Sequence, residues 1–154
     1  MNNLYLNGDP ILPEIKLKEI SDLVLGSEQP SMDFELSLSL VGDTEMRRYN
    51  KLYRGLDEPT DVLSFVTAQV PAGKELGNLS PDNVATGNTL LCDIVIDIKQ
   101  LDRQKGYNNL VSEFITVYVH GLLHLAGYDH IRKTDAILMK EKEEYYIKRL
   151  QGDI

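Results

Sequence analysis

The chain has one cysteine, no tryptophan and three histidines, and all three histidines fall within eleven consecutive residues. A lone cysteine, Cys92, excludes an intramolecular disulfide and makes a reducing cytoplasm the expected location. No run of residues is both long and apolar enough to span a bilayer. The start, Met1-Asn2-Asn3-Leu4-Tyr5, lacks the basic-then-apolar pattern of a signal peptide. Neither a membrane span nor secretion is therefore expected. Positive charge is scarce: Lys and Arg number 16 against 24 Asp and Glu, a formal net charge of −8. Such a balance excludes broad electrostatic affinity for nucleic acid, so a phosphate-bearing partner must meet a local basic patch. Internal repeats and low-complexity segments are absent. What remains, at 42% hydrophobic and 26% charged residues, is an ordinary globular composition, read as one domain over residues 1–154.

The strongest positive signal is His120-Gly121-Leu122-Leu123-His124-Leu125-Ala126-Gly127-Tyr128-Asp129-His130. His120 and His124 are four apart, so on a helix they share a face and both imidazoles reach one metal ion. Gly127 lets the helix stop, because glycine enters the left-handed conformation without a Cβ clash. His130 then has room to fold back as a third ligand. Three neutral imidazoles with a fourth position open to water is the layout of a catalytic zinc site, so one zinc ion per chain is expected. A single histidine is more often a packing or surface residue; it is the set that points to metal. From Leu110 to Ala126 the helix is apolar nearly all round and is expected in the core. Its polar positions Glu113, Thr116, His120 and His124 mostly form one stripe. The spacing matches the zinc-protease pattern H-E-x-x-H-x-x-G-x-x-H except at Gly121, where those proteases carry the glutamate that accepts the water's proton. The metal geometry is kept and the protease base is not.

Around this helix the pattern predicts a short strand over residues 4–6, a helix over 13–25 and a strictly alternating strand from Phe34 to Leu40. Asp43 or Thr44 is expected to cap a helix reaching Tyr53. On that helix Arg47, Lys51 and Arg54 share a face, with Met46, Tyr49 and Tyr53 on another. Most such charge runs are solvated faces, but in so acidic a chain the cluster is a candidate anion site. Thr60–Val66 reads as a strand, residues 68–89 as a long loop rich in Gly, Pro and Asn, and Leu90–Ile96 as a central strand. Asp93 within it needs a partner, either beside the metal or on the backbone. A helix over 99–105 precedes the histidine helix, and a heavily charged one over 134–150 follows it. The irregular alternation of elements indicates an α+β fold. It predicts a small mixed sheet of about four strands packed with helices, with the metal site at the C-terminal end of a buried helix.

Val119 to His130 resembles the signature of the YbeY family of bacterial endoribonucleases, which act in ribosomal RNA maturation. Asn50-Lys51-Leu52-Tyr53-Arg54-Gly55 followed by Pro59-Thr60-Asp61-Val62-Leu63-Ser64-Phe65 resembles the family's second signature, and Leu91-Cys92-Asp93-Ile94-Val95-Ile96 is similar to its third. The resemblance covers residues 34–150. It implies a single zincin-like domain, a metal on His120, His124 and His130, and an essential arginine at Arg54. The implied activity is cleavage of single-stranded RNA in 3′ end maturation of the small-subunit (16S) ribosomal RNA and in ribosome quality control. The implied partners are the small ribosomal subunit with its proteins and a ribosome-associated GTPase. Departures from the family pattern are Tyr49 for leucine, Val66 for proline and Cys92 for glycine. Cys92 reads first as a small buried hydrophobe and second as a reactive or metal-associated thiol.

On this reading the metal activates water and polarises a phosphoryl oxygen. Arg54 offers a planar, always-charged fork to two phosphate oxygens, and Arg47 and Lys51 bind substrate. With Gly121 in the glutamate position, cleavage proceeds either by activated water or by attack of the RNA's own 2′-hydroxyl. Two rivals are a zinc peptidase, opposed by Gly121, and a non-catalytic zinc-containing ribosome-assembly factor, opposed by the open coordination position.

Overall fold

The computed structural model describes residues 2–70, 88–128 and 132–151. Along the chain these form β1 (Asn3–Asn7), α1 (Glu14–Glu28), β2 (Met32–Val41), α2 (Asp43–Arg54) and β3 (Val62–Val70). Then follow β4 (Asn88–Asp97), α3 (Ile98–Gln104), α4 (Leu110–Leu125) and α5 (Lys133–Gln151). The strands make one mixed sheet in the order β1-β2-β4-β3. β1 and β4 both run parallel to β2, and β3 is the antiparallel edge. The expected α+β class and four-stranded mixed sheet are what the chain adopts.

The alternation in β2 explains how the sheet sits. Phe34, Leu36 and Leu38 are buried on one face, and the register sets Leu36 beside Cys92 and Leu38 beside Ile94. This apolar surface is covered by α4, flanked by α1 and α5, in one core that includes Leu17, Val24, Phe114, Tyr118, Leu122 and Tyr146. The opposite face carries a smaller cluster of Met46 from α2 with Leu63 and Val95. Helices α4 and α2 therefore lie on opposite sides of the sheet. Beyond its first turn, α4 is buried at every position except Thr116, His120 and His124. The predicted polar stripe is where the core opens to solvent.

Two local expectations need correction. Neither Asp43 nor Thr44 caps α2; the N-cap is Gly42, with no side-chain cap. Asp43 lies inside the first turn, and its carboxylate instead takes both terminal nitrogens of Arg103, at 2.7 and 2.9 Å. The expected loop over 68–89 is shorter at both ends, because β3 continues to Val70 and β4 begins at Asn88. The hairpin extends by backbone pairing, such as Ala68 with Leu91 and Gln69 with Leu90, which needs no apolar alternation to signal it. The rest of that loop lies outside the described residues.

Candidate metal centre

Asn109 starts α4 by accepting a hydrogen bond from the Ser112 amide at 2.8 Å, and the helix carries His120 and His124 to half-buried positions one turn apart. Their rings meet edge to face, with centroids 4.6 Å apart and planes at 79°. Their Nε2 atoms are 3.1 Å apart. Two nitrogens bonded to one tetrahedral zinc at about 2.0–2.1 Å stand roughly 3.3 Å from each other. The pair thus fits two corners of one coordination sphere. Among the described residues no set of three His, Cys, Asp or Glu gathers as a metal site. The third expected ligand, His130, lies outside the described residues.

A residue the sequence pattern does not single out completes this arrangement. Glu143, in the charged run Lys140-Glu141-Lys142-Glu143-Glu144 of α5, reads as part of a solvated face. In the structure its side chain is 19% exposed and its Oε1 meets His120 Nδ1. An ionised carboxylate only accepts, so the imidazole donates through Nδ1. Neutral His120 then keeps its lone pair on Nε2, the atom turned toward His124. A carboxylate behind a histidine in this way orients the ring and raises its basicity as a ligand.

The end of α4 follows the reading of Gly127. Its φ is +110°. The Gly127 amide bonds to the His124 carbonyl and the Tyr128 amide to the Leu123 carbonyl, both at 3.0 Å. This paired 5→2 and 6→1 pattern closes a helix on a left-handed residue and turns the chain sharply. Gly121 has a packing reason of its own. A Cβ there would stand 3.3 Å from Val62 Cγ2 and 3.4 Å from Ile94 Cδ1, so the absent side chain lets α4 press against β3 and β4.

The basic residues of α2 are placed differently. Arg47 pairs with Asp57 at 3.1 Å, and Arg47, Arg48, Lys51, Thr44 and Asp57 line a hollow of about 230 Å³. Arg54 is exposed at the end of the helix, beside Gly55 with φ +71°. Among the described residues, no hydrogen bond or ion pair joins Arg47, Lys51 or Arg54 to His120 or His124. In the same segment Asn50 is structural: it is buried and donates to the Glu58 carbonyl at 2.8 Å, closing the turn before β3. Tyr53 stacks on Phe65 with centroids 4.4 Å apart.

Asp93 is not beside the histidines. Cys92, Ile94 and Ile96 face α4, so alternation turns Asp93 to the other side, next to Phe65 in the register. Burial alone raises its carboxyl above the usual range. Cys92 is the small buried hydrophobe. Burial first, then the Asp93 and Glu35 carboxylates, push its thiol up to about 12, which leaves it without thiolate character.

A four-stranded mixed sheet and five helices, with a histidine pair one turn apart on the central buried helix, define a small α+β domain. The family model of endoribonuclease YbeY matches residues 13–151. Relatives named Endoribonuclease YbeY include a Clostridium botulinum protein 30% identical over 143 residues, covering 88% of this chain and 86% of the relative. Another, from Clostridium tetani, is 33% identical over 136 residues, covering 83% and 81%. A third, from Colwellia psychrerythraea, is 36% identical over 124 residues, covering 80% and 73%. The solution structure of TM1509 from Thermotoga maritima has the same fold, with a TM-score of 0.62 at 24% identity over 98% of this chain and 91% of that one. The chain belongs to the endoribonuclease YbeY family.

Proposed function

We propose that the chain is a zinc-dependent endoribonuclease that cuts single-stranded RNA. Its proposed roles are 3′ end maturation of 16S ribosomal RNA and ribosome quality control. The observation that carries the metal half is the convergence of His120 and His124 Nε2 with Glu143 behind His120. The RNA half rests on family membership. His120 and His124 hold the ion, with His130 as the third ligand. When bound, zinc supplies Lewis-acid chemistry to water and to a phosphoryl oxygen.

The chain's own residues do the rest. Glu143 keeps the His120 proton on Nδ1. Gly121 leaves no carboxylate at the proteases' base position, which supports phosphoryl chemistry over peptide hydrolysis. Arg54 is the cation assigned to charge developing at phosphorus, because a guanidinium spans two phosphate oxygens. Arg47 and Lys51 bind flanking phosphates. The proposed partners are the small ribosomal subunit with its proteins and a ribosome-associated GTPase, met in the cytoplasm. No helix among the described residues is long and apolar enough to cross a membrane.

The test is a cleavage assay on matched single- and double-stranded RNA, run with the purified protein and its His124→Ala form. Cleavage of the single strand that disappears in His124→Ala supports the reading. Equal residual cleavage in both proteins, or none in either alongside full zinc content, leaves the non-catalytic assembly factor instead.

A further inference from the structure

Glu28, the last residue of α1, and its C-cap Gln29 are fastened to the α4–α5 region. Gln29 Nε2 donates to the Ala126 carbonyl at 2.9 Å, satisfying a carbonyl at the α4 terminus. Glu28, whose side chain is 9% exposed, receives three donors. These are the Tyr128 hydroxyl at 2.5 Å, the Lys142 ammonium at 3.4 Å and the hydroxyl of the buried Tyr146. Burial opposes ionisation of Glu28, but the two hydroxyls and the ammonium outweigh it and hold its carboxyl below the usual value. Hydrogen bonds to an ionised acceptor are the stronger kind.

Tyr146 lies three residues after Glu143 on α5, so the two share a helix face. One turn of that face reaches Glu28 and the turn before it reaches His120. The apolar contacts of α5, through Met139, Tyr146 and Leu150, bury it without fixing its position along its axis, because apolar packing is non-directional. Hydrogen bonds are directional, and a slide of about 1 Å takes one out of range. We propose that Glu28 is a positioning residue of the histidine pair: by holding Tyr146 and Lys142 it sets α5 so that Glu143 meets His120 Nδ1. The consequence for metal retention rests on the reading of His120 as a ligand. The positioning itself does not.

The experiment uses the full chain, ¹⁵N-labelled and metal-free, at about pH 8, where an ordinary imidazole is neutral. Long-range ¹H–¹⁵N spectra report which nitrogen of His120 carries the proton. The wild type is expected to show the Nδ1–H form, and Glu28→Ala and Tyr146→Phe a mixture of tautomers. Zinc dissociation constants, measured against a chromogenic chelator, are expected to rise about tenfold in both variants, the lower end for residues behind a ligand. Tyr145→Phe, at the exposed neighbouring position, is expected to change neither. Should Glu28→Ala not fold, Tyr146→Phe decides, because it removes one hydroxyl and keeps the buried ring. A wild-type tautomer pattern in Tyr146→Phe overturns the proposal even if zinc binds. A tautomer shift in a protein that binds no zinc upholds the positioning and removes the metal reading.

Discussion

Arg54→Ala separates metal binding from catalysis at the scale of one side chain. Arg54 is exposed at the end of α2, so its loss is expected to leave zinc content and thermal midpoint unchanged. RNA cleavage is expected to fall about a hundredfold or more, the scale for losing one transition-state donor. Lysine should restore only part of it, because a point charge does not reproduce a two-pronged contact. Normal cleavage by Arg54→Ala would remove the catalytic assignment. Gly121 is the converse case. A Gly121→Glu exchange rebuilds the protease pattern on paper, but its side chain starts against Val62 and Ile94. The expected outcome is destabilisation of about 3 kcal/mol or more, from overpacking and a poorly solvated carboxylate, with no peptidase activity gained. Denaturant unfolding and a peptide-cleavage assay check both parts.

The junction of β4 and α3 contains a pair of carboxyl groups with a pH signature. Asp97 is fully buried and caps α3, its Oδ1 accepting from the Lys99 and Gln100 amides at 3.0 and 3.3 Å. Its Oδ2 has no donor among the described residues and faces the Asp43 carboxylate. Two acceptors in contact are satisfied only with a proton between them. Burial first, and then Asp43, push Asp97 up to about 6, while Arg103 holds Asp43 well below the usual range. The folded chain therefore keeps a proton that the unfolded chain releases above about 4. This group's stabilisation is complete below that value, falls as pH rises toward about 6, and is flat beyond. Asp97→Asn keeps the cap acceptor and places an amide where the proton was. It is expected to abolish this step and to raise the thermal midpoint at pH 7.5 relative to wild type. A pH series of melting curves for both proteins shows whether the step is there.

For the molecule as a whole, the proposed function makes net charge −8 and the basic stretch on α2 the determinants of how RNA is met. Affinity for naked single-stranded RNA is expected to be weak. It should have a shallow salt dependence of about two to three phosphates' worth of released counterions, because only Arg47, Arg48, Lys51 and Arg54 contribute. Duplex RNA is expected to bind and be cut less, since its phosphates lie on a wide rigid surface that one short helix does not track. Filter binding across a salt series, on single strand and duplex, measures both. A slope near ten, or equal duplex cleavage, would point to a larger RNA surface than α2.

Local signals carried far in this chain because each reports a property of neighbouring residues. The four-residue histidine spacing, the left-handed Gly127 and the alternation of Phe34, Leu36 and Leu38 all appear in the structure as their patterns require. The order of the sheet, with β4 between β2 and β3, has no such signal, because periodicity tells which face is apolar and not which strand it will join. The side of the sheet taken by Asp93 followed from that pairing. Glu143 and Glu28 were the least legible, being 23 and 92 residues from His120 in a chain where carboxylates are common. Their meaning arises when packing withdraws two ordinary surface charges from water, and that burial turns each into a directed acceptor for one particular donor.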